Sequence, residues 1–181
     1  MLFAQSGEYG TEKTIDPAHE VGENVTITDR SQLLLMTPEQ EKKIKSLRIE
    51  NQLIDDDFHD FFLSVRELNC LYFAKCIVDW LTLFDVEQVL VLGVVNCNLT
   101  SDLAKEVLED ITNWDYIETL DLSHNRLGTN PEKFLTWMKR SVVGTVTVYN
   151  LVLSCNGFAE ESKSGVVSYF NQYYPSWRVN I

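Results

Sequence analysis

The sequence predicts an α/β fold in which parallel strands alternate with helices to form a solenoid. Three observations support this prediction: one eleven-residue pattern occurs in three clear copies, two weaker copies precede them, and helix-type patterns lie between the copies. The clear copies span 89–99, 117–127 and 148–158, and each fits L-x-x-L-x-L-x-x-N/C-x-L. Repetition at a spacing of about 20 to 50 residues indicates a solenoid, because each unit buries its apolar face against the next. The expected shape is a right-handed horseshoe arc of about five repeats, with a concave parallel sheet and convex helices.

The strands are predicted from the leucine-type positions of the pattern. The two weaker copies span 44–54 and 68–78. The first, fourth and sixth residues of each copy are expected to turn into the core, while the residues between them line the exposed face of the sheet. The second of these anchor positions is leucine in every copy, at Leu47, Leu71, Leu92, Leu120 and Leu151. We therefore expect these leucines to lie side by side on neighbouring parallel strands.

Four segments between the strands have apolar residues three and four positions apart, which is typical of a helix with one buried face. They span 55–64, 101–112, 131–141 and 160–173. Asn130 followed by Pro131 is a helix start signal, and Ser101 with Asp102 is expected to cap the preceding helix in the same way. These helices are expected to form the convex layer.

The two ends are predicted to close the stack. Residues 1–30 are polar and acidic, so we expect an N-terminal arm or cap there, with a short strand at 24–28. The repeat domain is expected to span 31–181, and the segment 37–40 has the N-cap threonine, first-turn proline and glutamine of a helix start. Alternating Trp177, Val179 and Ile181 indicate a final edge strand within a C-terminal cap.

The ninth residue of each copy is expected to bond backbone groups where the chain turns out of the strand. This column reads Gln52, Cys76, Cys97, Asn125 and Asn156. Asparagine can do this with its amide, and a cysteine thiol can do so weakly while it packs in an apolar slot. A structural role for the two cysteines is therefore favoured over a redox or metal role.

These patterns resemble the leucine-rich repeat proteins, and in particular the ribonuclease-inhibitor-like class. The resemblance covers about residues 44 to 160, and it rests on the long repeats with helices, the mixed Cys and Asn column, and phrases such as NCNLT at 96–100 and LDLSHNRLG at 120–128. It implies a curved solenoid whose concave face binds a ligand, usually another protein. It implies no particular partner. The sequence departs from the class in its irregular spacing and in Gln52.

The charge balance disfavours polyanionic partners. Lys and Arg total 15 against 27 Asp and Glu, and the net charge of −12 repels phosphate backbones and anionic membrane surfaces. The apolar run 89–95 is too short to cross a bilayer, so no membrane insertion is expected. Four cysteines without a C-x-x-C pair favour free thiols in a reducing compartment. We expect a cytoplasmic protein, with the nucleus or an organelle interior as alternatives, that binds neither nucleic acid nor a cofactor.

Two arrangements could carry chemistry, and neither is favoured. Asp121, Ser123 and His124 are close in sequence, but nucleophilic catalysis also needs an oriented base and an oxyanion site. The aspartates at 55–57 lack the glycine and the terminal glutamate of a calcium loop, and they are expected to form a solvated helix start. We therefore predict no catalytic residue and no metal site.

The expected concave face is the predicted binding surface. Its exposed strand positions are Ser46, Arg48, Glu50, Cys70, Tyr72, Ala74, Val91, Gly93, Val95, Thr119, Asp121, Ser123, Asn150, Val152 and Ser154. Few of them are charged, and an apolar patch with an aromatic residue and little charge resembles the core of a protein interface. The predicted partner-binding residues are Tyr72, Val91, Val95, Asp121, Ser123 and Val152. The alternative is that the arm or a terminal segment covers this face.

The sequence therefore predicts a non-enzymatic protein–protein interaction module, either an adaptor or a subunit of a larger complex, that binds a protein through its concave sheet. An alternative is a regulator of an enzyme, such as a GTPase-activating protein, because one branch of the resembled class has that role. An actin-capping or ubiquitin-ligase adaptor module is a further alternative on the same resemblance.

Overall fold

A computed structural model describes residues 23–65, 68–78, 89–111, 114–141 and 147–181. In these ranges the chain is an α/β protein, with a parallel sheet of seven strands that alternate with helices. Most of the predicted arm, residues 1–22, lies outside the described residues.

The main sheet follows the order of the chain. Its strands, from one edge to the other, are β1 (Asn24–Ile27), β2 (Ser46–Glu50), β4 (Cys70–Ala74), β6 (Val91–Val95), β7 (Tyr116–Asp121), β8 (Thr147–Val152) and β9 (Arg178–Asn180). A second, two-stranded parallel sheet pairs β3 (Leu53–Ile54) with β5 (Ile77–Val78). The helices are α1 (Ser31–Leu35), α2 (Pro38–Glu41), α3 (Asp56–Ser64), α4 (Ala104–Asp110), α5 (Pro131–Ser141) and α6 (Glu160–Tyr173).

The expected row of leucines is present. Successive register pairs across β2, β4, β6, β7 and β8 join Leu47, Leu71, Leu92, Leu120 and Leu151, and all five side chains are fully buried. Because side chains alternate along a strand, the opposite positions of these strands point away from the core. The leucine row therefore fixes which face of the sheet is available to other molecules.

The core lies between the sheet and the helices. Fully buried side chains from α3, α5 and α6 include Phe58, Phe62, Phe134, Met138 and Phe170. They belong to the same apolar cluster as the leucine row. Burying a large apolar side chain contributes about 1.5 to 3 kcal/mol, so the helices are held mainly by these contacts.

Five strands end in the same backbone conformation. A residue with a positive φ of 55° to 58° directly follows β2, β4 and β6 and lies three residues after the end of β7 and β8. These residues are Asn51, Lys75, Asn96, His124 and Cys155. The left-handed region costs a non-glycine residue about 1 to 2 kcal/mol. In each case the next residue belongs to the predicted column, whose hydrogen bonds to the backbone offset this cost. The column is Gln52, Cys76, Cys97, Asn125 and Asn156.

The column bonds the backbone as expected. Asn125 donates its amide to the carbonyls of Val94 at 2.6 Å and Leu122 at 2.9 Å, and its Oδ1 accepts from the backbone N–H groups of Cys97 and Leu99 at 3.0 Å each. The Sγ of Cys97 lies 3.6 Å from the carbonyl of Phe73 on the strand before it. Each bond of this kind joins a turn to the preceding strand, so the column ties neighbouring strands together at one edge.

Gln52 and Cys76 complete this edge. Gln52 donates its amide to the carbonyl of Thr28 at 2.7 Å, which attaches β2 to the end of β1. Cys76 donates its thiol to the carbonyl of Ile49 at 3.3 Å. Although neither position is asparagine, both side chains therefore still bond the preceding strand or its end.

The helices agree with the sequence patterns in most places. α5 and α6 have the bounds that their periodicity predicts, α3 begins one residue later than expected, and the helix start at Thr37 has both bonds of its capping pair with Gln40. The final strand β9 lies parallel to β8 at the sheet edge, as expected. The short helix α1 and the second sheet were not predicted, because neither is long enough to show a period.

The prediction that Ser101 caps the helix α4 is wrong. The hydroxyl of Ser101 lies 2.8 Å from the carbonyl of Leu127 and 2.9 Å from that of Asn130, and its one proton is shared between these two acceptors on the next turn of chain. Thr100 instead accepts from the backbone N–H of Leu103 at 3.4 Å, and α4 begins at Ala104. The Ser101 side chain therefore bonds the next turn of chain, and Thr100 caps this turn.

The aspartates at 55–57 lie at the start of a helix, as the sequence predicts, and two of them also pair with Arg30. The guanidinium of Arg30 donates to Asp55 at 2.6 Å and 2.9 Å and also pairs with Asp57. These hydrogen bonds from Arg30 lower the pKa of the Asp55 carboxyl below its ordinary value. The pair attaches the start of α1 to the start of α3.

Within the described ranges, no helix has both the length and the apolar character that crossing a bilayer requires.

Candidate functional site

The outward face of the main sheet has a central row that crosses five strands. Register pairs place Arg48, Tyr72, Gly93, Asp121 and Val152 side by side on β2, β4, β6, β7 and β8. All of these positions alternate with the buried leucine row, so they lie on the side away from the core. We refer to this side of the sheet as the outward face.

Tyr72 lies flat across this row. Its hydroxyl donates to Oδ2 of Asp121 at 2.5 Å, although the two residues belong to strands that β6 separates. The ring passes directly over Gly93, since a Cβ built there would come within 2.1 Å of the ring atom Cδ2. A glycine inside a strand is a sign of such a close approach. The ring can therefore span three strands only because β6 has no side chain at this point.

The two ends of Tyr72 are both held. Oδ1 of Asp121 accepts from the backbone N–H of Ser123 at 3.0 Å, which orients the carboxylate that receives the phenol. The guanidinium of Arg48 lies 4.7 Å from the centroid of the Tyr72 ring, and it also forms an ion pair with Glu50. A charge-assisted hydrogen bond and a cation–π contact fix the ring in one position. The ring is thus held in place by side chains of this chain alone.

Aliphatic side chains surround the ring. Val91 and Val95 lie on either side of Gly93 along β6, and Val152 is the register partner of Asp121; all three are partly exposed. The charged groups close to this centre are already engaged with one another, as Arg48 with Glu50 and Asp121 with Tyr72. The centre of the outward face is therefore apolar and aromatic, with its charges satisfied internally.

Five of the six predicted binding residues lie on this accessible surface. Tyr72, Val91, Val95, Asp121 and Val152 are partly exposed, and the structure brings Tyr72 and Asp121 into direct contact. In contrast, Ser123 is only 5% exposed and offers little surface of its own. Its part in binding stays a prediction. Its backbone N–H donates to the carboxylate of Asp121 and so helps to orient it.

Two other positions expected to be exposed are buried. Gly93 is covered by Tyr72, and Ala74 is a small residue paired in register with the larger Val95. Strand alternation predicts that Arg48 and Glu50 lie on this face, but it assigns them no role. The usable signal was Gly93, because a glycine in the middle of an otherwise aliphatic strand indicates a side chain lying over it.

Asp121 bonds Tyr72 and Ser123 in this structure. Its carboxylate accepts from the phenol of Tyr72 and from the backbone of Ser123, so it is not used to orient His124. The backbone of His124 is left-handed, and its N–H donates to the carbonyl of Ser154 at 2.9 Å. Among the residues that the structure describes, no group of three or more His, Cys, Asp or Glu side chains could hold a metal ion.

Comparison with known proteins assigns no relative. No family model matches the chain, and no curated protein matches its sequence significantly. The functional argument therefore rests on the geometry of the outward face.

Proposed function

We propose that this chain is a leucine-rich repeat solenoid of the ribonuclease-inhibitor-like class, and that it works as a non-enzymatic module that binds a partner protein through the outward face of its sheet. In this proposal the outward face is the concave one and the helices are convex. The chain serves as an adaptor or as a subunit of a larger complex in a reducing compartment such as the cytoplasm.

The repeat assignment is supported by what five successive strands share. Each contributes one buried leucine in register with its neighbours, as Leu92 does with Leu120. Each is followed by a residue with positive φ and then by a side chain that bonds the backbone around the turn. A recurring strand, turn and bond is the unit that a solenoid stacks.

The binding role is carried by one observation, which is the fixed position of Tyr72 in the middle of an apolar outward face. Tyrosine is favoured at the centre of interfaces because it buries a large area and has few rotatable bonds. A ring already held by Gly93, Asp121 and Arg48 loses little further freedom when a partner covers it. Val91 and Val95 extend the apolar area beside it.

The compartment is supported by the cysteines. Cys70, Cys76, Cys97 and Cys155 are all free, and Cys76 and Cys97 use their thiols in the turn bonds described above. Free thiols with structural roles fit a reducing environment.

Affinity purification of tagged variants from the source cells tests the proposal. Proteins that bind this face should be enriched with the wild-type chain and lost with Tyr72→Glu and with Val95→Glu, because each change puts a charge into the apolar centre. Leu34→Glu is the matched control, since Leu34 is apolar and 86% exposed but lies on α1 outside this face. The same set of proteins with all four baits would refute the proposal, provided circular dichroism shows that the variants are folded.

A further inference from the structure

A second surface lies at the amino-terminal ends of β7 and β8. Tyr116 and Tyr149 are 42% and 49% exposed, and their ring centroids are 6.5 Å apart with an angle of 74° between the planes. Glu118 and Tyr149 sit between the register pairs Ile117–Val148 and Thr119–Asn150. Tyr116, Glu118 and Tyr149 are all exposed, and they flank the buried Ile117 and Val148 at this end of the two strands.

Two nearly perpendicular rings beside a carboxylate are suited to a cation. The face of an aromatic ring carries partial negative charge, and it attracts an ammonium or guanidinium group within about 6 Å of the centroid. A carboxylate next to the rings adds a charge-assisted hydrogen bond to the same group. The three side chains therefore offer what a lysine or arginine side chain needs.

Three other accessible rings of this protein already have a cation of their own. Arg48 lies over Tyr72, Lys139 lies 5.8 Å from the centroid of Tyr173, and Lys105 lies 5.4 Å from that of Trp137. Among the described residues, by contrast, no Lys or Arg covers the rings of Tyr116 and Tyr149, and none forms an ion pair with Glu118. Among the described residues, no cation therefore occupies the ring faces of Tyr116 and Tyr149.

The surrounding charge favours a basic partner. The described residues 89–111 and 114–130 contain seven acidic and two basic side chains, in a chain of net charge −12. Asp115 is exposed directly before Tyr116. Such a field attracts a basic segment and repels phosphate groups.

We propose that Tyr116, Glu118 and Tyr149 form a docking site for an arginine or lysine side chain in a basic segment of a partner protein. The two rings supply the cation–π contacts, and Glu118 supplies the counter-charge. This site is separate from Tyr72, so it does not depend on the function proposed for the outward face.

A titration of the isotope-labelled full chain tests the site, with amide chemical shifts followed by NMR. The probe is a short peptide of alternating arginine and glycine, in about 0.15 M salt so that long-range attraction is screened. Binding should shift the amide signals of residues 115–118 and 147–150. A matched peptide with glutamine in place of arginine should not bind.

Variants separate a cation–π site from a merely apolar one. Tyr149→Phe keeps the ring and should bind the arginine peptide within about twofold of wild type, whereas Tyr149→Leu keeps the apolar area and should weaken binding by about three- to tenfold. Glu118→Gln should weaken it to a similar extent. Tyr173→Leu is the control, because that ring already lies under Lys139 and should not affect binding.

The site is overturned if the arginine peptide does not bind, if the glutamine peptide binds equally well, or if Tyr149→Leu and Tyr149→Phe behave alike. A circular dichroism spectrum identical to that of wild type shows that each variant is folded. If a tyrosine variant does not fold, Glu118→Gln decides the test. Weaker binding of the arginine peptide then supports the site, and unchanged binding overturns it.

Discussion

Replacing Gly93 with alanine tests how Tyr72 is held. The new Cβ would lie 2.1 Å from Cδ2, 2.2 Å from Cε2 and 2.7 Å from Cγ of Tyr72, so the ring must leave its place. The bond from its hydroxyl to Asp121 then breaks, and a hydrogen bond to a charged group contributes about 1.5 to 3 kcal/mol. Alanine restricts the unfolded chain and offsets about 0.4 to 1 kcal/mol of that loss. We expect Gly93→Ala to lower the free energy of unfolding by about 1 to 2 kcal/mol.

The sign of this effect should reverse when Tyr72 is absent. In a Tyr72→Ala background no ring covers Gly93, and Gly93 has no positive φ, so alanine should raise stability by about 0.4 to 1 kcal/mol. Urea unfolding followed by circular dichroism measures all four members of the cycle. If Gly93→Ala has the same effect with and without Tyr72, the ring does not lie over Gly93 and the reasoning about the outward face fails.

Two further predictions concern the turn bonds and pH. Asn125→Ala should lower the free energy of unfolding by about 3 kcal/mol or more, because it leaves several buried backbone groups unpaired. Gln52→Ala, at the half-exposed start of the column, should lower it by only about 1 kcal/mol. Urea unfolding measures both variants, and equal losses would contradict a buried column. Arg30 lowers the pKa of Asp55 from its ordinary value of 3.8, so the stability from this pair is present above that pH and is lost as the pH falls through the lower folded value. Arg30→Gln should therefore lose less stability than wild type when unfolding is measured from about pH 6 down to pH 3, and parallel curves would show that the pair does not stabilise the fold.

The sequence predicts those parts of the fold that depend on local periodicity. The leucine row could be predicted because Leu47, Leu71, Leu92, Leu120 and Leu151 occupy the same place in one pattern, and equal places in a pattern become register pairs when strands stack. The bounds of α5 and α6 could be predicted because each helix is long and has clear start signals. The short α1 and the pairing of β3 with β5 have too few residues for a period to show.

The candidate site could be predicted only in part. Strand alternation is a local property, so it correctly placed Tyr72, Val91 and Val95 on an accessible face. The bond from Tyr72 to Asp121 joins residues 49 positions apart, and its existence depends on the ring crossing Gly93. Contacts of this kind depend on the direction of a side chain across neighbouring strands, which the pattern of apolar residues does not encode. For the same reason, the sequence did not show that Ser101 bonds the next turn.

Hydroxyl-radical footprinting of the purified complex with a captured partner tests most directly whether the outward face binds protein. Oxidation of Tyr72 and Val95 should fall on complex formation, while Tyr173, which is exposed on α6 in the helical layer, should react as it does in the free chain. Protection of Tyr173 with unchanged oxidation of Tyr72 would show that the partner binds the helices and that the outward face is not the binding surface.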